Sequence, residues 1–271
     1  MNKKQKILIA GAALFASLFL FSGVMLAWQY KDGRASADVF DAVADLVQPD
    51  DMLRPGVVSG NTADEVSGEF DPSLIAYEKY AAVREQNSDF VGWISIDGTN
   101  INYPVMQTVD NPDYYLKRGF EKQHSNYGVP YVQENCMLGI SDNIIVYGHH
   151  MNNGSMFADL CKYESEGFYR EHPTVRFDTL SSLGEYEIVA VFKTVAYSEK
   201  GFKYYHFVDA VGEDDFTAFI SQCKALSLYD TGVSAEYGDK LLTLSTCEYS
   251  QTNGRMVVLA KLIVPEAVGN A

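Results

Sequence analysis

The chain has 271 residues, 21 Lys and Arg against 36 Asp and Glu, and 47% hydrophobic residues, enough for one large domain or two small ones with a sizeable core. Five basic residues (Lys3, Lys4, Lys6, Lys31, Arg34) and one acid (Asp32) lie in the first 34 positions, leaving 16 basic against 35 acidic residues beyond them. A body that acidic argues against a nucleic-acid binder and against a peripheral membrane protein held by basic patches, and four cysteines are too few for a disulfide scaffold.

Behind the first lysines, 22 uncharged residues run from Ile7 to Trp28. As a helix rising about 1.5 Å per residue they reach roughly 33 Å, enough to cross a hydrocarbon core of about 30 Å. A cleaved signal has an apolar region of only about 7 to 15 residues and a small-x-small site, so this stretch reads as an uncleaved anchor. The preceding lysines place residues 1–6 in the cytoplasm, 7–28 in the membrane and the rest outside, a single-pass cell-membrane protein. Residues 29–73 read as an acidic stalk; from 35 onward it holds nine acids and one base, Arg54. A short helix from Ser36 is expected, with Val39, Phe40, Val43, Leu46 and Val47 at helical spacing. Gln48 to Phe70 has no periodicity and reads as a spacer. The folded domain, 74–271, is announced by Asp71-Pro72, an N-cap residue and a proline at the first helical position.

From Phe90 the signals turn to short strands. Trp93–Ile96 and Ile101–Tyr103 flank a four-residue loop with hairpin chemistry, and Asn143–Tyr147, Val175–Phe177, Tyr186–Val195, Lys240–Thr246 and Arg255–Val264 follow. Two helices interrupt them: one capped by Ser155 with Phe157, Leu160 and Cys161 inward, and one opened by Asp214 and Asp215 with Phe216, Phe219, Ile220, Cys223 and Leu226 on one stripe. The pattern predicts a mostly β, mostly antiparallel barrel or sandwich of roughly 200 residues.

Cys161 and Cys223 sit on apolar stripes, where a thiol is usually a small hydrophobe; Cys136, in a loop, is undecided. Cys247 ends an apolar strand just before a polar loop, on the face shared by Thr243 and Ser245, placed to be reached. If the strands on either side of the loop pair, Arg255 stands opposite Cys247 and projects from the same face. There it can favour a thiolate and donate to an oxyanion; the spacing equally allows a surface arginine pairing with Glu248. Cysteine chemistry also needs a proton carrier. Among His124, His149, His150, His172 and His206, the pair His149-His150 stands out, because it follows an apolar strand and Gly148 where the chain opens into a loop. Spacing does not choose between the two, and adjacent histidines point apart, a poor start for a zinc site.

YGHHM (147–151), TLSTC (243–247) and the arginine of GRMVV (254–258) together resemble the signature of sortases, the membrane-anchored cysteine transpeptidases of Gram-positive cell surfaces. The chain is most similar to class B, through NSDFVGWISIDGTNINYPVMQ (87–107), DNPDYYLKRGF (110–120) and the helix-bearing insertion around 213–228. The similarity covers roughly 74–264. It departs from the family pattern at GVPYVQENC (128–136), in the wall of the peptide groove. The resemblance implies a sortase-like barrel of about eight strands with N-terminal helices and an inserted helix. It implies a catalytic Cys247, His149 rather than His150 as general acid and base, and Arg255 as oxyanion stabiliser, with Ser245 and Glu248 at groove-lining positions. The implied substrates are surface proteins bearing an LPxTG- or NPQTN-like signal, cut after its Thr through a thioacyl intermediate and passed to an amine of a cell-wall precursor or peptidoglycan. No metal, other cofactor or nucleic acid is implied. Two alternatives differ in kind. A pilus-polymerising sortase generally carries a lid with an Asp-Pro-aromatic motif and often a carboxyl-terminal membrane segment, and neither occurs in residues 35–73 or 264–271. A tethered β-domain that only binds a ligand would keep Cys247 buried or in a disulfide.

Overall fold

The computed structural model describes residues 2–49 and 72–264. Helix α1 (Lys3–Ala44) and helix α2 (Pro72–Gln86) precede eight strands: β1 (Phe90–Ser95), β2 (Asn102–Met106), β3 (Tyr131–Val132), β4 (Asn143–Tyr147), β5 (Thr174–Thr179), β6 (Glu185–Val195), β7 (Leu241–Glu248) and β8 (Gly254–Leu262). Helix α3 (Glu166–Glu171) lies between β4 and β5, and α4 (Glu213–Leu226) between β6 and β7. The strands close into a barrel in the order β1-β2-β3-β4-β7-β8-β6-β5. Its joints are antiparallel except β2 with β3 and β4 with β7.

Apolar side chains from the long strands fill the barrel, among them Ile94, Val105, Val146, Val191, Leu244 and Val258, all fully buried. The outer face of the sheet is covered too. Phe216, Phe219, Ile220 and Cys223 of α4 are buried as the stripe requires, and Phe219 stacks on Phe207 at 3.9 Å. Helix α2 is fastened to β5: Lys79 Nζ lies 3.1 Å from Asp178 Oδ2, and the Tyr80 hydroxyl donates to the same oxygen at 2.6 Å. A buried charge held by two donors meets the requirement that buried ions be paired and hydrogen-bonded.

Three local expectations are corrected. The helix expected from Ser36 is the continuation of the long apolar helix α1, unbroken from Lys3 to Ala44. Its C-terminal part docks on the barrel: Phe40 and Val43 are buried, Phe40 meets Tyr103 edge-on at 5.2 Å, and Asp32 Oδ2 accepts from the Asn126 amide at 3.0 Å. The apolar stripe read as part of a free stalk is thus a packing face. The segment Ala158–Glu164 is a 3₁₀ helix, not an α-helix capped by Ser155; the Ser155 hydroxyl donates to Asn153 Oδ1 instead, which leaves the tighter i to i+3 turn favoured in short pieces. Strand β3, two residues long, carries no periodicity from which to predict it. The N-cap at Asp71 and the spacer from residue 50 onward lie outside the described residues.

Candidate active site

The register of three strands brings the chemistry together. β7 and β8 pair antiparallel with Cys247 opposite Arg255, and because Glu248 still pairs with Gly254 the connecting loop spans only residues 249–253. On the other side β7 runs parallel to β4, Tyr147 opposite Ser245. Just past the end of β4 the Gly148 amide donates to the Ser245 carbonyl at 3.1 Å, and the Thr246 hydroxyl donates to the Gly148 carbonyl at 2.8 Å. A Cβ at Gly148 would sit 2.5 Å from the Phe157 ring, so only glycine lets the chain turn here. The next residue, His149, then enters the cavity that Cys247, Ser245 and Arg255 line, with a volume of about 590 Å³.

His149 is held from outside the ladder. Its Nε2 lies 2.7 Å from the Leu116 carbonyl, an acceptor, so Nε2 carries the proton and Nδ1 is the basic nitrogen of the neutral ring. Burial pushes its pKa below the ordinary imidazole value; the Leu116 carbonyl opposes the shift and the Lys117 ammonium adds to it. Arg255 spends one Nη1 donor on the Gly254 carbonyl at 2.9 Å and stands 5.9 Å from the centre of the Tyr197 ring. A guanidinium has five N–H donors, so most of its fork is left for an anion in the cavity.

All four cysteines are free thiols, and they divide sharply. Burial pushes Cys136 and Cys161 each up to about 11 and raises Cys223 further. Cys136, undecided from sequence, is a buried side chain whose Sγ contacts the Asn143 carbonyl. Cys247 is the one cysteine lining the cavity. It is partly exposed, which is what a nucleophile needs.

The two expected groove residues separate. Ser245 lines the cavity, its hydroxyl 2.6 Å from that of Tyr204. Glu248 does not line it. Strand alternation turns its side chain away from the Cys247 face, where its carboxylate accepts from the Ser250 amide at 2.9 Å and hydroxyl at 2.6 Å and faces Lys193 at 3.6 Å. Partial burial raises its pKa, but the Ser250 donors and the Lys193 ammonium outweigh this and leave it lowered. Sequence reasoning missed most of the opposite wall. There the Tyr131 hydroxyl donates to Asp113 Oδ1 at 2.6 Å, the Tyr147 hydroxyl donates to Gln133 Oε1, and Gln133 Nε2 donates to the Tyr205 carbonyl at 3.0 Å. Tyr131 and Gln133 lie in the segment whose pattern departs from the family; that departure was the available signal.

A family model for the sortase domain matches residues 94–263, more than half of the chain. The chain belongs to the sortase family. Its similarities are to class B members. It is 33% identical over 188 residues to the sortase B of Staphylococcus aureus, covering 68% of this chain and 75% of that protein. It is 31% identical over 249 residues to the sortase B of Listeria monocytogenes, covering 91% and 92%. Among solved structures, a sortase B from Bacillus anthracis in complex with AAEK1 superposes with a TM-score of 0.68 at 28% identity, over 86% of this chain and 99% of that one. A Staphylococcus aureus sortase B–substrate complex gives 0.64 at 32% identity, over 69% and 85%. This sortase is accordingly a cysteine transpeptidase of class B with the closed eight-stranded barrel of its relatives.

Proposed function

We propose that this sortase cleaves a C-terminal sorting signal of the LPxTG or NPQTN type after its Thr and transfers the protein to a cell-wall amine, with Cys247, His149 and Arg255 as its catalytic residues. The observation that carries the reading is the pairing of Cys247 with Arg255 across β7 and β8 in a cavity that also receives His149. His149 takes the thiol proton as Cys247 Sγ attacks the Thr carbonyl carbon, and Arg255 donates hydrogen bonds to the oxyanion that forms. The C–N bond breaks, His149 protonates the leaving amine, and a thioester joins Thr to Cys247. An incoming amine attacks the thioester carbon, His149 takes its proton, and the C–S bond breaks to release the new amide and the thiol. The thioester conserves the energy of the cleaved peptide bond, so the exchange needs no nucleotide.

Two solved structures support the choice of partners. The Staphylococcus aureus sortase B is solved as a substrate complex, and a sortase B is solved with triglycine, a peptide whose amino terminus is an amine of the kind the second step consumes. Ser245, engaged with Tyr204, is the side chain of the expected groove pair that can meet the peptide; Glu248 acts on it only through the loop it braces. The anchor reading rests on α1, the one helix among the described residues long and apolar enough to cross a membrane, with Phe15, Phe19 and Leu20 among its exposed side chains. With Lys3, Lys4 and Lys6 inside, the barrel lies on the outer surface.

The test is to incubate the full chain with LPxTG-like, NPQTN-like and SPxTG-like peptides, without and with triglycine, and follow it by mass spectrometry. An acyl adduct on Cys247 that disappears with formation of the glycine conjugate is expected. No adduct with any peptide would sink the reading.

A further inference from the structure

Beside the proposed catalytic trio lies a second histidine that its chemistry does not use. His150 Nδ1 is 3.0 Å from the main-chain carbonyl oxygen of Cys247, and Cys161 Sγ lies 3.3 Å from the same Nδ1 and 3.8 Å from the same oxygen. The need for this contact follows from the ladder. The Ser245 carbonyl points toward β4 and accepts the Gly148 amide. Carbonyls two residues apart in a strand point the same way, so the Cys247 carbonyl also points toward β4. That strand ends at Tyr147, and no main-chain donor of β4 is left to meet it. A partly buried backbone carbonyl without a partner is costly, and past Tyr147 this end of β7 is tied by the ladder on its β8 side alone.

Because the carbonyl only accepts, Nδ1 carries the proton of the neutral His150 ring. The ring is itself fixed. It packs on the Tyr249 ring at a centroid distance of 5.0 Å, the Tyr249 hydroxyl donates to the His150 carbonyl at 3.0 Å, and the His150 backbone bridges to Met156. Cys161, whose pKa burial lifts to about 11, stays a protonated thiol and a weak second donor to the same oxygen.

We infer that His150 is a positioning residue for the nucleophile: its Nδ1–H takes the place of the missing β4 amide and holds the Cys247 main chain in the register that sets the sulfur against Arg255 and His149. The inference rests on Cys247 being the nucleophile. The adjacent histidines thus divide two tasks, His149 acting in the cavity and His150 on the backbone behind it.

The experiment measures kcat and KM for sorting-peptide cleavage by the full chain in detergent, with Cys247→Ala, His150→Ala, His150→Asn and His150→Gln beside wild type. Asparagine Nδ2 branches from Cγ as histidine Nδ1 does and restores the donor where it is needed; the glutamine amide is one carbon too far. His150→Ala is expected to lower kcat by about 10- to 100-fold, the cost of a misplacement of about 1 Å, with KM within about twofold. His150→Asn should return to within about threefold of wild type, and His150→Gln should resemble alanine. A kcat for His150→Ala within about twofold of wild type, a loss confined to KM, or an asparagine variant no better than glutamine overturns the inference. If the alanine variant does not fold, the asparagine–glutamine contrast decides alone. Retained turnover in Cys247→Ala overturns the reading beneath it instead, which a wild-type-like His150→Ala would leave standing.

Discussion

The two walls of the active-site cavity are built differently. One is ladder: β4, β7 and β8 fix Cys247, Arg255 and the approach to His149 through successive main-chain bonds. The other, from the two-residue strand β3 and the loops around it, is tied by side chains: Leu116 holds the His149 ring through its carbonyl, the Tyr131 hydroxyl is tied to Asp113, and Gln133 is tied to Tyr147 and Tyr205. A ladder sets positions by its repeat and tolerates little drift, which suits groups that must meet a reacting carbonyl within tenths of an ångström. A wall of side-chain hydrogen bonds can be exchanged residue by residue without disturbing the barrel, which suits the reading of a peptide.

If that division is right, damage on the ladder side lowers kcat and damage on the loop side changes KM. Cys247→Ala comes first, since without sulfur no thioester forms: loss of at least about 10³-fold is expected, read from acyl adduct and turnover together. Next comes Arg255→Lys, for which a fall of about 10²-fold in kcat is expected, because an ammonium cannot reproduce the fork of donors aimed at an oxyanion. Near wild-type turnover there would remove the oxyanion role.

The pH profile tests the proton carrier. A nucleophile and a proton carrier that must each hold the right protonation state are expected to give a bell-shaped kcat/KM. Burial lowers the His149 pKa, so the acid limb should lie below the ordinary imidazole value of about 6.5, and the alkaline limb marks the second deprotonation. A monotonic rise from about pH 5 to about pH 10 is incompatible with the pair.

The loop wall gives the two smaller effects. Gly128 has φ +62°, and a Cβ there would lie 2.6 Å from the Tyr115 carbonyl and 3.2 Å from His149 Cδ2. Gly128→Ala should cost about 1–3 kcal/mol of stability and, by displacing His149, about tenfold in kcat. It is the loop-side change that breaks the simple division, because it reaches the histidine. Tyr131→Phe removes only the hydroxyl bound to Asp113. It should raise KM by roughly threefold to tenfold at constant kcat, in keeping with one hydrogen bond of about 1 kcal/mol; an equal fall in kcat would place Tyr131 with the ladder.

How much of this was legible depends on how far apart along the chain the partners lie. The Cys247–Arg255 pairing follows from two apolar runs joined by a polar loop, a hairpin whose register is set locally. The α4 stripe is legible for the same reason: Phe216, Phe219, Ile220 and Cys223 declare one face through helical spacing. His149 was not separable from His150 by spacing, because what distinguishes them is the parallel pairing of β4 with β7, whose closing bond joins Thr246 to Gly148 across 98 positions of chain. β3 was invisible, since two residues have no period. The docking of α1 was misread because Phe40 and Val43 reveal an apolar stripe without naming what covers it.

The sequence by itself determined the class of chemistry and the local order of its parts: a reachable thiol at a strand end, an arginine opposite it, histidines at another strand end, and a long apolar helix ahead of an acidic body. These follow from periods of 2 and 3.6 residues and from turn chemistry, all short-range. Only the tertiary structure decided which histidine enters the cavity, that Glu248 turns away from it, that Tyr131 and Gln133 form its far wall, and that the Cys247 carbonyl needs a side chain where β4 runs out. Each of these is a contact between residues distant in the chain, set by how the barrel closes, and no local pattern encodes the closure.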